Sequence, residues 1–157
     1  MTQRSAHRSL LHDQNGAALI EFTLLAPLLL SLVLGMAEFG RFFYQYQMVL
    51  EGLRDAGRYL ARLDPNDAAD QSNAANLATT GTIDGTGEAR VDGWAAADIS
   101  FNPTPITNTA GTYRGPAQIW VIEVETTFDY ADVGFLSALG LDAISITAAH
   151  EQRVILE

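Results

Sequence analysis

Residues Ala17 to Ala37 read AALIEFTLLAPLLLSLVLGMA, an apolar run of 21 residues whose only charge is Glu21. As a helix rising about 1.5 Å per residue, such a run extends roughly 30 Å, the depth of a bilayer's hydrocarbon layer. It is the only long apolar run in the chain, so the fold is built around one membrane-length helix. The carboxylate makes that helix costly to insert, by about 2.5–3.5 kcal/mol at the bilayer centre and less near an interface. A charge in that place needs a compensating partner.

The charges are unevenly placed. Ahead of the run stand Arg4 and Arg8 against Asp13, with His7 and His12 adding positive character near or below neutral pH. After Ala37 come seven Arg and seventeen Asp or Glu, in a chain of 157 residues with a formal net charge of −10. The positive-inside tendency keeps the cationic end cytoplasmic and sends the acidic remainder outside. So acidic a domain argues against nucleic acid as a ligand, because neutralising phosphates takes a basic surface. The 120 residues beyond Ala37 suffice for a small core without staples, consistent with the absence of cysteine.

The first 37 residues admit three readings. One is a secretory signal peptide cut at the small-x-small triplet Gly35-Met36-Ala37; against it stand the length of the run and Glu21 inside it. A second is an uncleaved anchor, with Glu21 one turn inside the cytoplasmic face and Pro27 a tolerated kink. The third is a prepilin-type leader, residues 1–16, cut between Gly16 and Ala17. Cleavage there frees an amine on Ala17, four residues before Glu21, and that ammonium is expensive to bury unpaired. A carboxylate from the same or a neighbouring subunit neutralises it and fixes axial register between packed helices. Gly16 suits the cut because glycine adopts the extended backbone a protease needs at little cost.

These residues carry a resemblance. Gly16-Ala17-Ala18-Leu19-Ile20-Glu21-Phe22, then Ala26-Pro27-Leu28-Leu29-Leu30, is similar to the start of the TadE-like pseudopilins of the tight-adherence (Tad, type IVc) pilus. The likeness continues through Glu38-Phe39-Gly40-Arg41 and Leu53-Arg54-Asp55-Ala56-Gly57-Arg58-Tyr59-Leu60-Ala61. It implies processing after Gly16, a new N-terminus at Ala17 and an assembly role for Glu21. It also implies three partners: a prepilin peptidase, other pilins or pseudopilins meeting the N-terminal helix, and an inner-membrane assembly platform. The leader end, Asp13-Gln14-Asn15, departs from the pattern in having no cationic residue next to Gly16.

Beyond the run, apolar residues recur at helical spacing through Phe39, Phe42, Phe43, Tyr46, Val49, Leu50, Leu53, Ala56, Leu60 and Leu63. The pattern predicts one helix from about Ala17 to Leu63, apolar all round to residue 37 and amphipathic from 38 to 63. Arg54, Arg58 and Arg62, four apart, share a face. They form either a docking strip for an acidic partner or a solvated face balanced by Glu51 and Asp55. The aromatic cluster from Phe39 to Tyr46 fits an interfacial belt, packing on the distal domain, or both.

Residues 64–157 read as a small α+β domain. Asp64-Pro65 ends the helix. Asn66 to Thr80 predicts a short helix with Asn66 as N-cap and a stop at Gly81. Six glycines and three prolines between residues 81 and 117 predict loops, with a short strand at Ile99–Phe101 or a longer one within 88–101. Ile119–Phe128 alternates as a strand, and Ala143–Ile155 alternates again. The two are expected to pair antiparallel across Asp129–Asp142 and pack on the amphipathic helix. The expected fold is therefore α+β, a long N-terminal helix against a small antiparallel sheet, and the resemblance supplies part of that expectation.

No motif points to catalysis, a cofactor or a metal: the chain lacks a Cys nucleophile, a Gly-x-Ser-x-Gly elbow and a phosphate-binding glycine loop. Asp64, Asn66, Asp67 and Asp70 crowd oxygen ligands, but an EF-hand needs Gly and Glu where Ala69 and Ala75 stand. Glu123 and Glu125 share a strand face, with Arg153 as the expected cross-strand partner. The leading expectation is a non-enzymatic minor pilin or pseudopilin. The alternative is a secreted or anchored acidic binding domain whose first segment is only a signal or an anchor.

Overall fold

The computed structural model describes residues 14–109, 117–141 and 143–155. Most of the cationic leader, with His7 and His12, lies outside them, as do Gly111, Gly115 and Pro116. The chain divides into two compact units, one ending at Phe39 and the other starting at Gly40. Helix α1 (Gln14–Leu60) contributes to both.

The first unit, over its described residues, is α1 alone. Its large apolar side chains are exposed, from 44% at Leu34 to 74% at Leu24. Pro27 sits inside the helix without ending it. Two hydroxyls are satisfied along the helix itself: Thr23 Oγ1 donates to Leu19 O at 2.7 Å and Ser31 Oγ to Leu28 O at 2.8 Å. The run thus needs no water for its neutral polar groups, as a hydrocarbon environment demands.

In the second unit, α1 gives the core Val49, Leu53, Ala56 and Leu60, all fully buried and spaced four, three and four apart. Helix α2 (Ala68–Thr80) adds the small residues Ala74, Ala75 and Ala78. Its N-cap is Asp67 rather than the expected Asn66: Asp67 Oδ1 accepts from the N–H groups of Ala69 (2.7 Å) and Asp70 (3.1 Å). Asn66 is instead spent in the preceding turn, its N–H donating to Asp64 Oδ1 at 2.9 Å. Gly81 closes α2 as expected, at φ +78°, a left-handed conformation that costs glycine little.

The sheet is an antiparallel meander, β1 (Ile99–Thr107), β2 (Gln118–Asp129) and β3 (Ser145–Arg153), with β2 central. Ile122, Val124, Thr126 and Phe128 of β2 and Ile146 and Ala148 of β3 face the core, as the alternation predicted. β1 is longer than expected and shifted. Residues 88–98 hold turns and a short 3-10 helix (Ala96–Asp98), while the strand runs on through Pro103 and Pro105. Arg153 stands opposite Val121, and Glu123 opposite Glu151. Glu125 accepts from Asn102 Nδ2 at 3.0 Å across the β1 pairing. The β2–β3 connection carries one turn of helix, α3 (Phe135–Ala138), that the sequence did not signal.

Trp94 holds the middle of the core. Its Nε1–H donates to Thr126 Oγ1 at 2.9 Å, and Thr126 Oγ1 donates to Asp98 O at 2.9 Å. Its ring stacks on Phe128 with centroids 6.0 Å apart. The aromatic cluster of α1 splits by face: Phe42 meets Tyr130 edge-on at 5.3 Å, whereas Phe43 and Tyr44 are exposed.

Candidate functional site: the N-terminal helix and its cationic strip

Gly16, Ala17 and Glu21 all lie in α1 and all are exposed. Ala17 and Glu21 are four apart, so one helical face carries both. The described helix includes Gly16–Ala17, so these residues are helical rather than in the extended backbone expected at a cut. Among the described residues, one helix, within Gly16–Leu60, is long and apolar enough to cross a membrane.

The cationic strip belongs to the second unit. Arg54 and Arg58 are exposed on α1, and Arg62 is exposed in the turn that follows it. Arg54 and Arg58 line a shallow groove with Gln47, Glu51, His150 and Gln152. Arg58 and Arg62 line another with Tyr59, Leu77 and Arg90. Asp55 joins the strip to the loop after α2, accepting from Arg58 Nη2 at 2.7 Å and from Arg90 Nη2 at 2.9 Å. Partial burial pushes the Asp55 carboxyl up, and the two guanidinium hydrogen bonds with their charges outweigh it, holding it below its ordinary value.

The oxygen-rich turn after α1 is occupied by its own backbone. Asp64 and Asp67 accept from nearby N–H groups, and among the described residues no group of three or more His, Cys, Asp or Glu is placed to hold a metal. Sequence reasoning missed the pairing of Asp55 with Arg90, 35 residues apart, which no local pattern announces.

Among the described residues, one apolar helix of membrane-spanning length fits membrane anchoring, and with the three-stranded antiparallel sheet it makes an α+β arrangement. Residues 16–58 match the family model described as TadE-like protein, so over this helix the chain is similar to that family. The match stops two residues short of the end of α1 and includes none of the sheet. No curated protein and no solved structure matches the chain.

Proposed function

We propose that this chain is a non-enzymatic minor pilin or pseudopilin that takes part in assembling a Tad pilus or a related secretion apparatus. A prepilin peptidase cuts it between Gly16 and Ala17. The apolar helix then packs with other pilins or pseudopilins at the inner-membrane assembly platform, with the C-terminal unit periplasmic. Helix packing supplies affinity, and the pair formed by the Ala17 amine and Glu21 supplies register. The observation that carries this reading is the lone charge of the apolar run, one helical turn beyond Gly16–Ala17, inside the matched segment.

The test is the N-terminal sequence of the mature protein recovered from native membranes. A start at Ala17 supports the reading. A start at Met1, Thr2 or Glu38 overturns it in favour of a plain anchor or a secreted acidic domain. Glu21→Ala is expected to leave expression and membrane insertion unchanged. It strands a buried amine, at about 3 kcal/mol, so assembly falls roughly a hundredfold. Unchanged pili in that variant refute the register role.

A further inference from the structure

The two edges of the sheet are not alike. In an antiparallel ladder, alternate residues turn their N–H and C=O toward the partner strand and the others turn them away. Tyr130 N–H donates to Ile144 O and Val154 N–H to Trp120 O, so the even-numbered residues of β3 bond to β2. Thr147, Ala149 and Glu151 therefore present their backbone groups to the open side, and all three are exposed. On β1, Asn108 N–H donates to Ala117 O, which sets the outward positions at Phe101, Pro103, Pro105 and Thr107. The two middle ones are prolines without an N–H, a device that blunts an edge. β1 is closed to a further strand, and β3 is open.

The open edge lies beside the cationic strip. β3 runs alongside α1 in the same direction. Near its start Tyr130, bonded to Ile144, packs on Phe42; further on His150 and Gln152 flank Gly57; at its end Ile155 N–H donates to Ala61 O at 2.6 Å. A strand added to β3 would turn every second side chain toward the groove that holds Arg54 and Arg58. Residues four apart on a helix rise about 6 Å, and alternate residues on a strand are about 6.7 Å apart. Arg54 and Arg58 thus step in near register with two successive same-face positions of such a strand.

From this we infer that the β3 edge is a docking site for an extended segment of a partner protein with acidic side chains at alternate positions. Backbone hydrogen bonds to Thr147, Ala149 and Glu151 supply affinity, and carboxylates on Arg54 and Arg58 supply specificity. A second copy is the poorer occupant. Its inward β3 residues, Ile146, Ala148, His150 and Gln152, bring no carboxylate to the arginines.

The test uses the full chain in detergent micelles at low ionic strength, read by fluorescence anisotropy. The probe is a labelled nine-residue peptide alternating Glu and Thr, and the comparator alternates Lys and Thr. The Glu–Thr peptide is expected to bind saturably and the Lys–Thr peptide not to bind. Ala149→Pro removes one outward N–H and leaves the β2–β3 ladder intact, so it should weaken binding tenfold or more. An Arg54→Gln, Arg58→Gln double variant, altered only on the surface, should do the same. Failure of the Glu–Thr peptide to bind, equal binding of both peptides, or indifference to both variants overturns the inference. So does a wild-type dimer that Ala149→Pro dissolves, since the occupant is then a second copy. None of these outcomes depends on where the mature chain begins, so the inference and the pilin reading stand or fall separately.

Discussion

Gly52 offers the sharpest test of the core. A methyl group there would lie 2.5 Å from Ala78 O and 2.7 Å from Trp94 Cη2. Neither neighbour yields easily: the carbonyl belongs to the backbone of α2, and the indole is tied to Thr126 by its hydrogen bond. Relief requires a shift of about an ångström between α1 and α2, which puts the overpacking cost near the upper end of the usual range, about 3 kcal/mol. Replacing a mid-helix glycine by alanine returns about 1 kcal/mol of helix propensity. Gly52→Ala should therefore destabilise by about 2 kcal/mol. Gly40 has nothing within 4 Å of the same methyl, so Gly40→Ala should stabilise, by up to about 1 kcal/mol. Gly57 is intermediate, with His150 Cδ2 at 3.1 Å and Gln152 Cβ at 3.2 Å, and its alanine variant should be nearly neutral. Thermal unfolding of the full chain in micelles, followed by tryptophan fluorescence, reads the series. At about 4 °C per kcal/mol, Gly40→Ala and Gly52→Ala should differ in Tm by roughly 12 °C, with Gly57→Ala between them. A Gly52→Ala protein that melts as high as Gly40→Ala would show that α1 does not lie against α2 and Trp94 as described.

Asp55→Asn should cost about 1 kcal/mol at pH 7, a charge-assisted pair discounted for its partial exposure. Because folding depresses the Asp55 pKa, its contribution is complete above the ordinary value of 3.8 and disappears as pH falls through the lower folded value. The difference between wild type and variant should therefore close below about pH 4, and a gap that persists in acid contradicts the ion-pair account. Trp94→Phe removes the Nε1–H donor and opens a void beside Phe128, for a loss of about 2–3 kcal/mol in denaturant unfolding. A loss under about 0.5 kcal/mol would place Trp94 outside the core.

Periodicity made much of this fold legible. The 3.6-residue pattern of α1 from Val49 to Leu60 and the strict alternation of Ile122 to Phe128 each name a buried face directly. The misses have local physical causes. Pro103 and Pro105 read as turn residues, yet at outward-facing edge positions a strand asks nothing of their missing N–H, so β1 ran further than the sequence suggested. Asn66 and Asp67 are both good caps, and only the turn opened by Asp64 decides between them. At the candidate site, the spacing of Gly16, Ala17 and Glu21 was readable because it is local. The open edge of β3 was not, since which backbone groups face outward depends on register across β2. Gly52 reads as a weak point in a helix until α2 is laid against it.

The two prolines of β1 also fix a stoichiometry. A sheet open on both sides can pass strands along from molecule to molecule without limit, whereas this one has a single vacant side. Once that side is filled, the sheet is complete and offers nothing further. On the proposed reading, growth of a filament containing this chain would then fall to its helices, and the sheet would take up one strand and no more.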